Sequence, residues 1–294
     1  MNKYKISILA GAIVILTMGC SENEDNTIDN DIDEHIEETD DMFEDEVEED
    51  EVDDENLDEP IETDDEIVDE VEEEEIEEIE PQYEMTSHFS VVPIEGTDAP
   101  ENVVLLTIDD SFLNMDSDTT YALEMAEILY EQNANAIFFI NGQGIQSEED
   151  EEKLRTIHEM GFEIGNHTMN HENLNDLSEE EQRSEIIELN DLIEEITGER
   201  PRFFRAPFGA NTDISKQVME EEGMQWMNWT YGYDWESEYR EAEALAEIMV
   251  ETKYLRDGAN LLMHDRDFTR DALVDIVEGL REKGYEIVDP KLIK

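Results

Sequence analysis

The chain has 294 residues, enough for one sizeable domain with appendages, and it contains 85 acidic residues against 18 basic ones. The formal net charge of -67 excludes the basic face that general nucleic-acid binding requires, so we expect no nucleic-acid partner. The chain has one cysteine, Cys20, which excludes an intrachain disulfide.

The N-terminus resembles a bacterial lipoprotein signal. Two lysines precede an apolar run from Ile6 to Met18, which is too short for a comfortable membrane span, and Gly19 then precedes Cys20. We therefore predict a signal peptide over residues 1–19, cleaved before Cys20, which is then lipidated. An uncleaved anchor and an ordinary secretory signal are the alternatives, and all three place the rest of the chain outside the cytoplasmic membrane.

Residues 20–84 are predicted to form a disordered acidic tether. From Ser21 to Glu84 the chain has 37 acidic residues and no lysine or arginine. Such a segment cannot bury enough apolar surface to offset the entropy lost on ordering. Calcium buffering is an alternative role, although the segment contains no spaced calcium loop. The residues after Glu84 hold 48 acidic and 16 basic residues, and adaptation to high salt is our hypothesis for that excess.

From Asn102 short apolar runs alternate with amphipathic helical patterns, and we assign residues 85–294 to one domain. Strands are predicted at 103–107, 135–140, 162–165, 202–205, 224–229, 260–264 and 285–288, and helices at 119–131, 147–160, 178–197, 213–222, 241–254 and 269–284. Ser147, Ser178 and Thr269 are expected to cap their helices. The alternation predicts an α/β fold with a parallel sheet covered by helices. The count of about seven strands favours a distorted (β/α) barrel over an open sheet.

Polar side chains follow the predicted strands at the ends where barrel active sites lie. They are Asp109, Asp110, His167, Arg205, Asp234 and His264. Two neighbouring buried acids need a positive partner, and a divalent metal completed by the histidines of the stretch 165–171 is the simplest one. The alternative is that Asp109 and Asp110 are solvated loop acids in a very acidic protein.

Five short motifs follow one another through this domain. They are TIDDS at 107–111, HTMNH at 167–171, RAPF at 205–208, YGYDW at 231–235 and LMH at 262–264. In this order they resemble the motifs of polysaccharide deacetylases with a NodB homology domain (carbohydrate esterase family 4), and the resemblance covers about residues 102–288. The chain departs from the family at Ser111, where glycine is usual, and at Tyr231, where an aspartate is usual.

The resemblance implies a metal site and a general base. Asp110, His167 and His171 would bind one divalent ion, zinc by default, with cobalt or manganese as alternatives. Asp109 would take a proton from the attacking water. Arg205 would hold that carboxylate in a fixed orientation.

The resemblance also implies a proton donor and a substrate groove. The backbone N–H of Phe208 would stabilise the oxyanion, and His264 would protonate the leaving amine while Asp234 holds it cationic. Trp235 and Leu262 would line the groove for the acetyl methyl and the sugar ring. Ordinary core packing is the alternative for both.

These roles predict a membrane-anchored, metal-dependent enzyme that removes N-acetyl groups from amino sugars of a cell-envelope polysaccharide. Peptidoglycan or a chitin-like glycan is the expected substrate, and we expect a monomer. One alternative is an O-acetyl esterase acting on a xylan-like glycan. Another is a non-catalytic lipoprotein that binds envelope glycan. Retention of Asp109 and His264 favours an enzyme, because a glycan binder needs neither.

Overall fold

The structure, a computed structural model, describes residues 80–113 and 120–294. The predicted signal peptide, Cys20 and nearly all of the predicted acidic tether lie outside these residues. Among the helices of the described ranges, none combines the length and the apolar character needed to cross a bilayer.

The domain alternates short strands with longer helices. The strands are β1 (Tyr83–Met85), β2 (Val91–Pro93), β3 (Val103–Ser111), β4 (Ile137–Ile140), β5 (Glu163–Asn166), β6 (Phe203–Phe204), β7 (Gln225–Trp226), β8 (Tyr231–Gly232), β9 (Ala259–His264) and β10 (Glu286–Ile287). The helices are α1 (Ala122–Glu131), α2 (Glu148–Glu159), α3 (Glu179–Thr197), α4 (Asp213–Glu222), α5 (Ala242–Glu251) and α6 (Asp267–Glu282).

Seven parallel strands form one curled sheet in the order β7-β6-β5-β4-β3-β9-β8, and β10 pairs with the first residues of β3. This arrangement confirms the predicted distorted (β/α) barrel. β3 and β9 lie side by side in a register that pairs Asp109 with His264. Because both strands run in the same direction, two of the predicted site residues reach the barrel mouth at the same level.

The apolar run of β3 is buried on both faces, as expected of a central parallel strand. Val104, Leu106 and Ile108 pack into the cluster formed with the surrounding helices. Val103 and Leu105 belong to a second cluster on the other face of the sheet. Alternate side chains of a strand point to opposite faces, so a strand buried on both sides reads as one unbroken apolar run.

Two predicted helix starts and the predicted end of the helix over 178–197 are confirmed. The side chain of Ser147 accepts a hydrogen bond from the backbone N–H of Asp150 at the start of α2. Ser178 and Glu181 form a complete capping box at the start of α3. Gly198 ends α3 with a left-handed φ of 82°, a conformation that glycine adopts at little cost.

The prediction that Thr269 caps the last helix is wrong. α6 begins two residues earlier, with Arg266 at the N-cap position, and Thr269 lies fully buried within its first turns. The Thr269 hydroxyl instead donates a 3.2 Å hydrogen bond to Oδ2 of Asp234. A hydrogen bond donated to a distant carboxylate therefore replaces the predicted one, which would have been accepted from a local backbone N–H.

Other elements also differ from the sequence predictions. The β1–β2 hairpin and the two-residue β8 were not predicted, because elements this short leave no periodic pattern. The strand predicted over 224–229 ends at Trp226. The carbonyl of Asn228 is not available for a strand ladder, because it accepts hydrogen bonds from the side chains of Arg205 and Asn260.

Candidate active site and metal centre

A pocket of about 430 Å³ opens at the C-terminal ends of the strands. Its walls are formed by Asp109, Asp110, His167, His171, Ala206, Phe208, Gly209, Trp229, Trp235, Leu262, His264 and Arg266. Eight of the residues predicted from sequence line this pocket. Arg205 and Asp234 lie behind it, both fully buried.

Asp110, His167 and His171 point their ligand atoms at one another, and those atoms all lie within 4.8 Å. Oδ1 of Asp110 is 3.2 Å from Nε2 of His171 and 3.5 Å from Nε2 of His167. That oxygen is buried and has no hydrogen-bond partner within the described residues. A partnerless buried carboxylate oxygen facing two imidazoles fits a shared divalent cation, because burial without any partner would be costly.

The electrostatics of this cluster favour an ionised carboxylate. Burial opposes ionisation of Asp110, but the facing imidazoles of His167 and His171, together with the charge of His264, outweigh it. The pKa of the Asp110 carboxyl is consequently held well below its ordinary value. The residue is thus prepared in the protonation state that a metal ligand requires.

The orientation of His167 is set by a backbone carbonyl on a neighbouring strand. Nδ1 of its ring lies 2.6 Å from the carbonyl oxygen of Arg205. Because a carbonyl only accepts, Nδ1 carries the proton and the lone pair of Nε2 faces the pocket. Left-handed φ angles at Thr168 (69°) and His171 (56°) turn the backbone so that the His171 ring lies near that of His167. The centres of the two rings are 5.1 Å apart.

Arg205 and Asp109 form a fully desolvated ion pair. Nη1 of Arg205 donates to Oδ1 of Asp109 at 2.5 Å and to the Thr107 hydroxyl at 2.8 Å, and Nη2 donates to the Asn228 carbonyl and to Oδ1 of Asn260. Burial lowers the pKa of the Arg205 guanidinium, and its partner Asp109 opposes that shift. Oδ2 of Asp109 is directed towards the three candidate metal ligands and lies 3.7 Å from Nε2 of His167.

His264 and Asp234 form the second buried pair. Nδ1 of His264 lies 2.8 Å from Oδ1 of Asp234, and the backbone N–H of His264 donates to Oδ2 at 2.6 Å. Burial alone would lower the pKa of His264, but the charge and hydrogen bond of Asp234 outweigh it and raise that pKa to about 9. The imidazole is therefore protonated at neutral pH.

Aromatic rings flank these polar groups. The Trp235 ring meets His264 edge-on with centres 5.8 Å apart, and Trp229 lies 6.3 Å from Trp235. Trp235 is 38 % exposed, so it is not an ordinary core residue. Leu262 is both a pocket wall and a packed core residue, since it is only 2 % exposed. A Cβ at Gly232 would come within 2.7 Å of the Trp235 ring, so the glycine admits that ring.

The two departures from the family motifs lie outside the pocket walls. Ser111 is buried in β3, and the left-handed φ angles fall on its neighbours Asp110 (58°) and Phe112 (67°). A glycine is consequently not required at position 111. Tyr231 is buried in β8, and its hydroxyl donates to the carbonyl of Met249 in α5. It anchors a helix and does not face the site.

Sequence reasoning missed several residues that build the site. Thr107 and Asn260 are fully buried polar residues within apolar strands, and that contrast was the signal that could have found them. Trp229 and Arg266 line the pocket without belonging to any motif.

Asp265 was also missed, although it directly follows His264. Its carboxylate accepts from the backbone N–H groups of Phe112 and Tyr121 and from the hydroxyl of Thr120. Burial raises the pKa of Asp265 to about 6, against the opposing effect of these hydrogen bonds. One more aspartate in so acidic a chain offered no signal for this role.

The sequence is similar to those of known polysaccharide deacetylases. The family model described as Polysaccharide deacetylase matches residues 96–256. A peptidoglycan-N-acetylglucosamine deacetylase of Bacillus cereus is 30% identical over 195 residues, which are 64% of this chain and 86% of that protein. The peptidoglycan-N-acetylmuramic acid deacetylase PdaC of Bacillus subtilis is 29% identical over 214 residues, covering 72% of this chain and 42% of PdaC.

Solved structures of similar proteins also superpose on this chain. The structure of PdaC from Bacillus subtilis superposes with a TM-score of 0.55 at 28% identity, over 65% of this chain and 89% of that one. A CE4 family pseudoenzyme from Bacillus anthracis superposes with a TM-score of 0.55 at 29% identity, over 63% of each chain. The chain spans 51% of the uncharacterized Bacillus subtilis protein YlxY and 42% of PdaC, about half the length of these curated relatives.

Proposed function

Since this chain belongs to the polysaccharide deacetylase family, we propose that it is a metal-dependent hydrolase that removes N-acetyl groups from amino sugars. Peptidoglycan is the favoured substrate and a chitin-like glycan the nearest variant, because the curated relatives are named as peptidoglycan deacetylases. One observation carries the proposal. The partnerless Oδ1 of Asp110 faces two imidazole nitrogens, directly beside a carboxylate that a buried arginine holds in place.

Asp110, His167 and His171 would hold the cation. Two imidazoles and one carboxylate leave coordination positions open, which is typical of catalytic rather than structural sites. When bound, the cation would acidify the attacking water and polarise the acetyl carbonyl. Zinc is the default ion, and cobalt or manganese suit the same ligands.

Asp109 would act as the general base. Its Oδ1 accepts a hydrogen bond from Arg205, while Oδ2 faces the three candidate metal ligands and can accept the proton of the attacking water. The guanidinium has no lone pair that accepts a proton, so it holds Asp109 in orientation without competing for that proton.

His264 would act as the general acid. Its Nδ1 is held by Asp234, so Nε2 is the ring nitrogen that can deliver a proton to the leaving amine. When water attacks the amide carbon, the negative charge develops on the carbonyl oxygen, and this oxyanion needs a donor as well. The backbone N–H of Phe208 makes no backbone hydrogen bond with any described residue, and Phe208 lines the pocket. That N–H would bind the oxyanion.

Two other functions have some support. A Pseudobutyrivibrio xylanivorans protein named as a bifunctional xylanase/deacetylase is 27% identical over 191 residues, which supports an O-acetyl esterase as the second candidate. The Bacillus anthracis pseudoenzyme supports a non-catalytic glycan binder. Both buried pairs, Asp109–Arg205 and Asp234–His264, favour catalysis, because binding a neutral sugar requires neither.

Acetate release tests this proposal. Zinc-loaded full-length protein and the Asp109→Asn variant would be incubated with chitooligosaccharide, peptidoglycan and acetyl-xylan. We expect acetate from the N-acetylated glycans, and a loss of about 10²- to 10⁴-fold in the variant, the usual contribution of a general base. Turnover of acetyl-xylan alone would favour the esterase. No acetate from any glycan would leave only the binder.

We further propose that the enzyme is anchored to the outer face of the cytoplasmic membrane through lipidated Cys20. The N-terminal pattern supports this anchor. Labelled palmitate should be incorporated into the full-length chain in a bacterial host and not into a Cys20→Ser variant. Equal labelling of the two chains would contradict the anchor.

A further inference from the structure

Arg266 occupies one wall of the pocket, two residues beyond His264. Its side chain is half-buried and precedes α6 at the N-cap position. Among the residues that the structure describes, its guanidinium makes one long hydrogen bond, 3.5 Å from Nη1 to the backbone carbonyl of Asp234. It therefore lies beside the groups proposed to protonate the leaving amine, and most of its N–H donors have no acceptor within the described ranges.

Arg266 combines a place on the pocket wall with the lack of a carboxylate partner among the described residues. No carboxylate oxygen of the described ranges lies within 4.0 Å of its guanidinium, although the chain has 85 acidic residues and 18 basic ones. By contrast, Arg200, Arg202 and Arg270 each contact a carboxylate at 2.7 Å. An arginine without a carboxylate on a pocket wall keeps its planar fork of N–H donors available for a ligand.

A second guanidinium, that of Arg240, binds the same backbone segment, residues 234–235. Nη2 of the exposed Arg240 donates a 3.3 Å hydrogen bond to the backbone carbonyl of Trp235. Two cations thus attach to successive carbonyls, those of Asp234 and Trp235, where the Trp235 ring forms a wall for a sugar. In a chain of net charge -67 an anionic polymer is repelled at long range, so its capture requires a local cation of this kind.

We propose that Arg266 binds a carboxylate on the substrate, so that the site selects acetylated amino sugars bearing an acidic substituent over neutral ones. The fork geometry of a guanidinium matches a carboxylate, which neither a hydroxyl nor an acetamido group reproduces. This inference rests on the proposed deacetylase function, because it names the substrate class of that same site. It distinguishes a muramic-acid-type glycan from a chitin-like one.

The test compares two forms of one polymer. Peptide-free peptidoglycan strands carry a carboxylate on alternate sugars, and conversion of these groups to methyl amides gives a neutral strand with the same acetyl groups. Acetate release by zinc-loaded full-length protein at low salt gives kcat/KM for each strand. We expect wild type to prefer the anionic strand by roughly ten-fold, as for a charge-assisted hydrogen bond, and Arg266→Gln to bring the ratio near one.

Arg256→Gln is the matched control. Its guanidinium also lacks a carboxylate among the described residues, contacts Ser90 at 3.4 Å and does not line the pocket. Arg256→Gln removes the same charge as Arg266→Gln, and its ratio of kcat/KM on the two strands should stay at the wild-type value. If Arg266→Gln does not fold, Arg266→Lys decides instead. Lysine keeps the positive charge but lacks the planar fork, so the preference for the anionic strand should fall below the wild-type value.

Three results would overturn the inference. Equal losses on both strands in Arg266→Gln would mean that Arg266 only positions Asp234. A wild-type ratio of one, with acetate released from both strands, would refute the selectivity and leave the deacetylase function standing. Absence of acetate from every glycan, chitooligosaccharide included, would remove the proposed function itself.

Discussion

Nη1 of Arg205 lies 2.5 Å from Oδ1 of Asp109, and the two side chains are 0 % and 4 % exposed. The two residues are far apart in the sequence. They meet because Asp109, near the end of β3, and Arg205, the residue after β6, both lie at the barrel mouth. A charge pair so far removed from water is sensitive to the loss of either partner, since the remaining charge would be buried without compensation.

Arg205→Gln should therefore reduce both stability and turnover. We expect a loss of about 3–5 kcal/mol in the free energy of unfolding, as for other broken buried pairs. We also expect a fall of roughly 10²-fold in kcat, because the base is no longer aimed. Chemical denaturation and acetate release measure the two effects. Arg202→Gln, which breaks a more exposed pair with Glu163, is the control. A fully stable Arg205→Gln protein would contradict the coupling.

The pH dependence of kcat should report His264. The residue must be protonated to act as an acid, and Asp234 raises its pKa to about 9, so activity should fall as the pH rises above that value. Asp234→Asn removes the charge that raises the pKa, so the alkaline limb should move to lower pH. The same shift contributes stability that is complete below about pH 6.5 and is lost as pH rises through about 9.

A pH–rate profile of wild type and Asp234→Asn checks this prediction. Asp275→Asn, which changes an exposed acid of α6, should leave the profile at the wild-type position. An alkaline limb that does not move in Asp234→Asn would show that another group supplies the proton.

Removing one imidazole should abolish metal binding. His171→Ala leaves His167 and Asp110 as a two-ligand site, and we expect the bound zinc to fall from one ion per chain to nearly none. Zinc should also raise the unfolding temperature of wild type but not of the variant, because the ion binds only the folded site. Elemental analysis and thermal unfolding measure both quantities.

His158→Ala is the matched control for the metal experiment. His158 lies on α2 and contacts Glu199, away from the pocket. Full zinc content in His171→Ala, or loss of zinc in His158→Ala, would refute the assigned ligands.

Asp265→Ala should destabilise the barrel mouth. Three donors, the N–H groups of Phe112 and Tyr121 and the hydroxyl of Thr120, would lose their acceptor. Such losses cost about 1–3 kcal/mol per buried group, so we expect a total loss of roughly 3 kcal/mol after relaxation. Asp275→Ala is the control, and a change within about 0.5 kcal/mol is expected for that surface site. Equal unfolding curves for the two variants would show that the hydrogen bonds contribute nothing.

The acidic surface should make stability depend on salt. Screening weakens repulsion among the exposed carboxylates, so the unfolding temperature should rise with potassium chloride concentration. Chloride is preferred to sulfate because sulfate also strengthens apolar burial and would obscure the screening. A domain equally stable in dilute buffer would contradict adaptation to high salt.

Local chemistry made much of the fold predictable. The unbroken apolar run of β3 and the capping box at Ser178 depend on neighbours in the sequence, so the pattern carried the information. Asp109, Asp110 and His167 were predicted to lie together because strand ends converge in a parallel barrel, and the ligand role of His171 was implied by the motif resemblance. The two-residue β8 was not predictable, since two residues have no period.

The sequence by itself determined most of the helices and strands, the parallel sheet and the residue types gathered at the barrel mouth, because these follow from periodicity and from short motifs. Only the tertiary structure decided which atoms are engaged. It turned Thr269 from a helix cap into a donor to Asp234, assigned the proton of His167 to Nδ1, gave Asp265 its three donors, and placed Arg266 on the pocket wall. Hydrogen bonds and ion pairs depend on distances between residues remote in the chain, and only packing sets those distances.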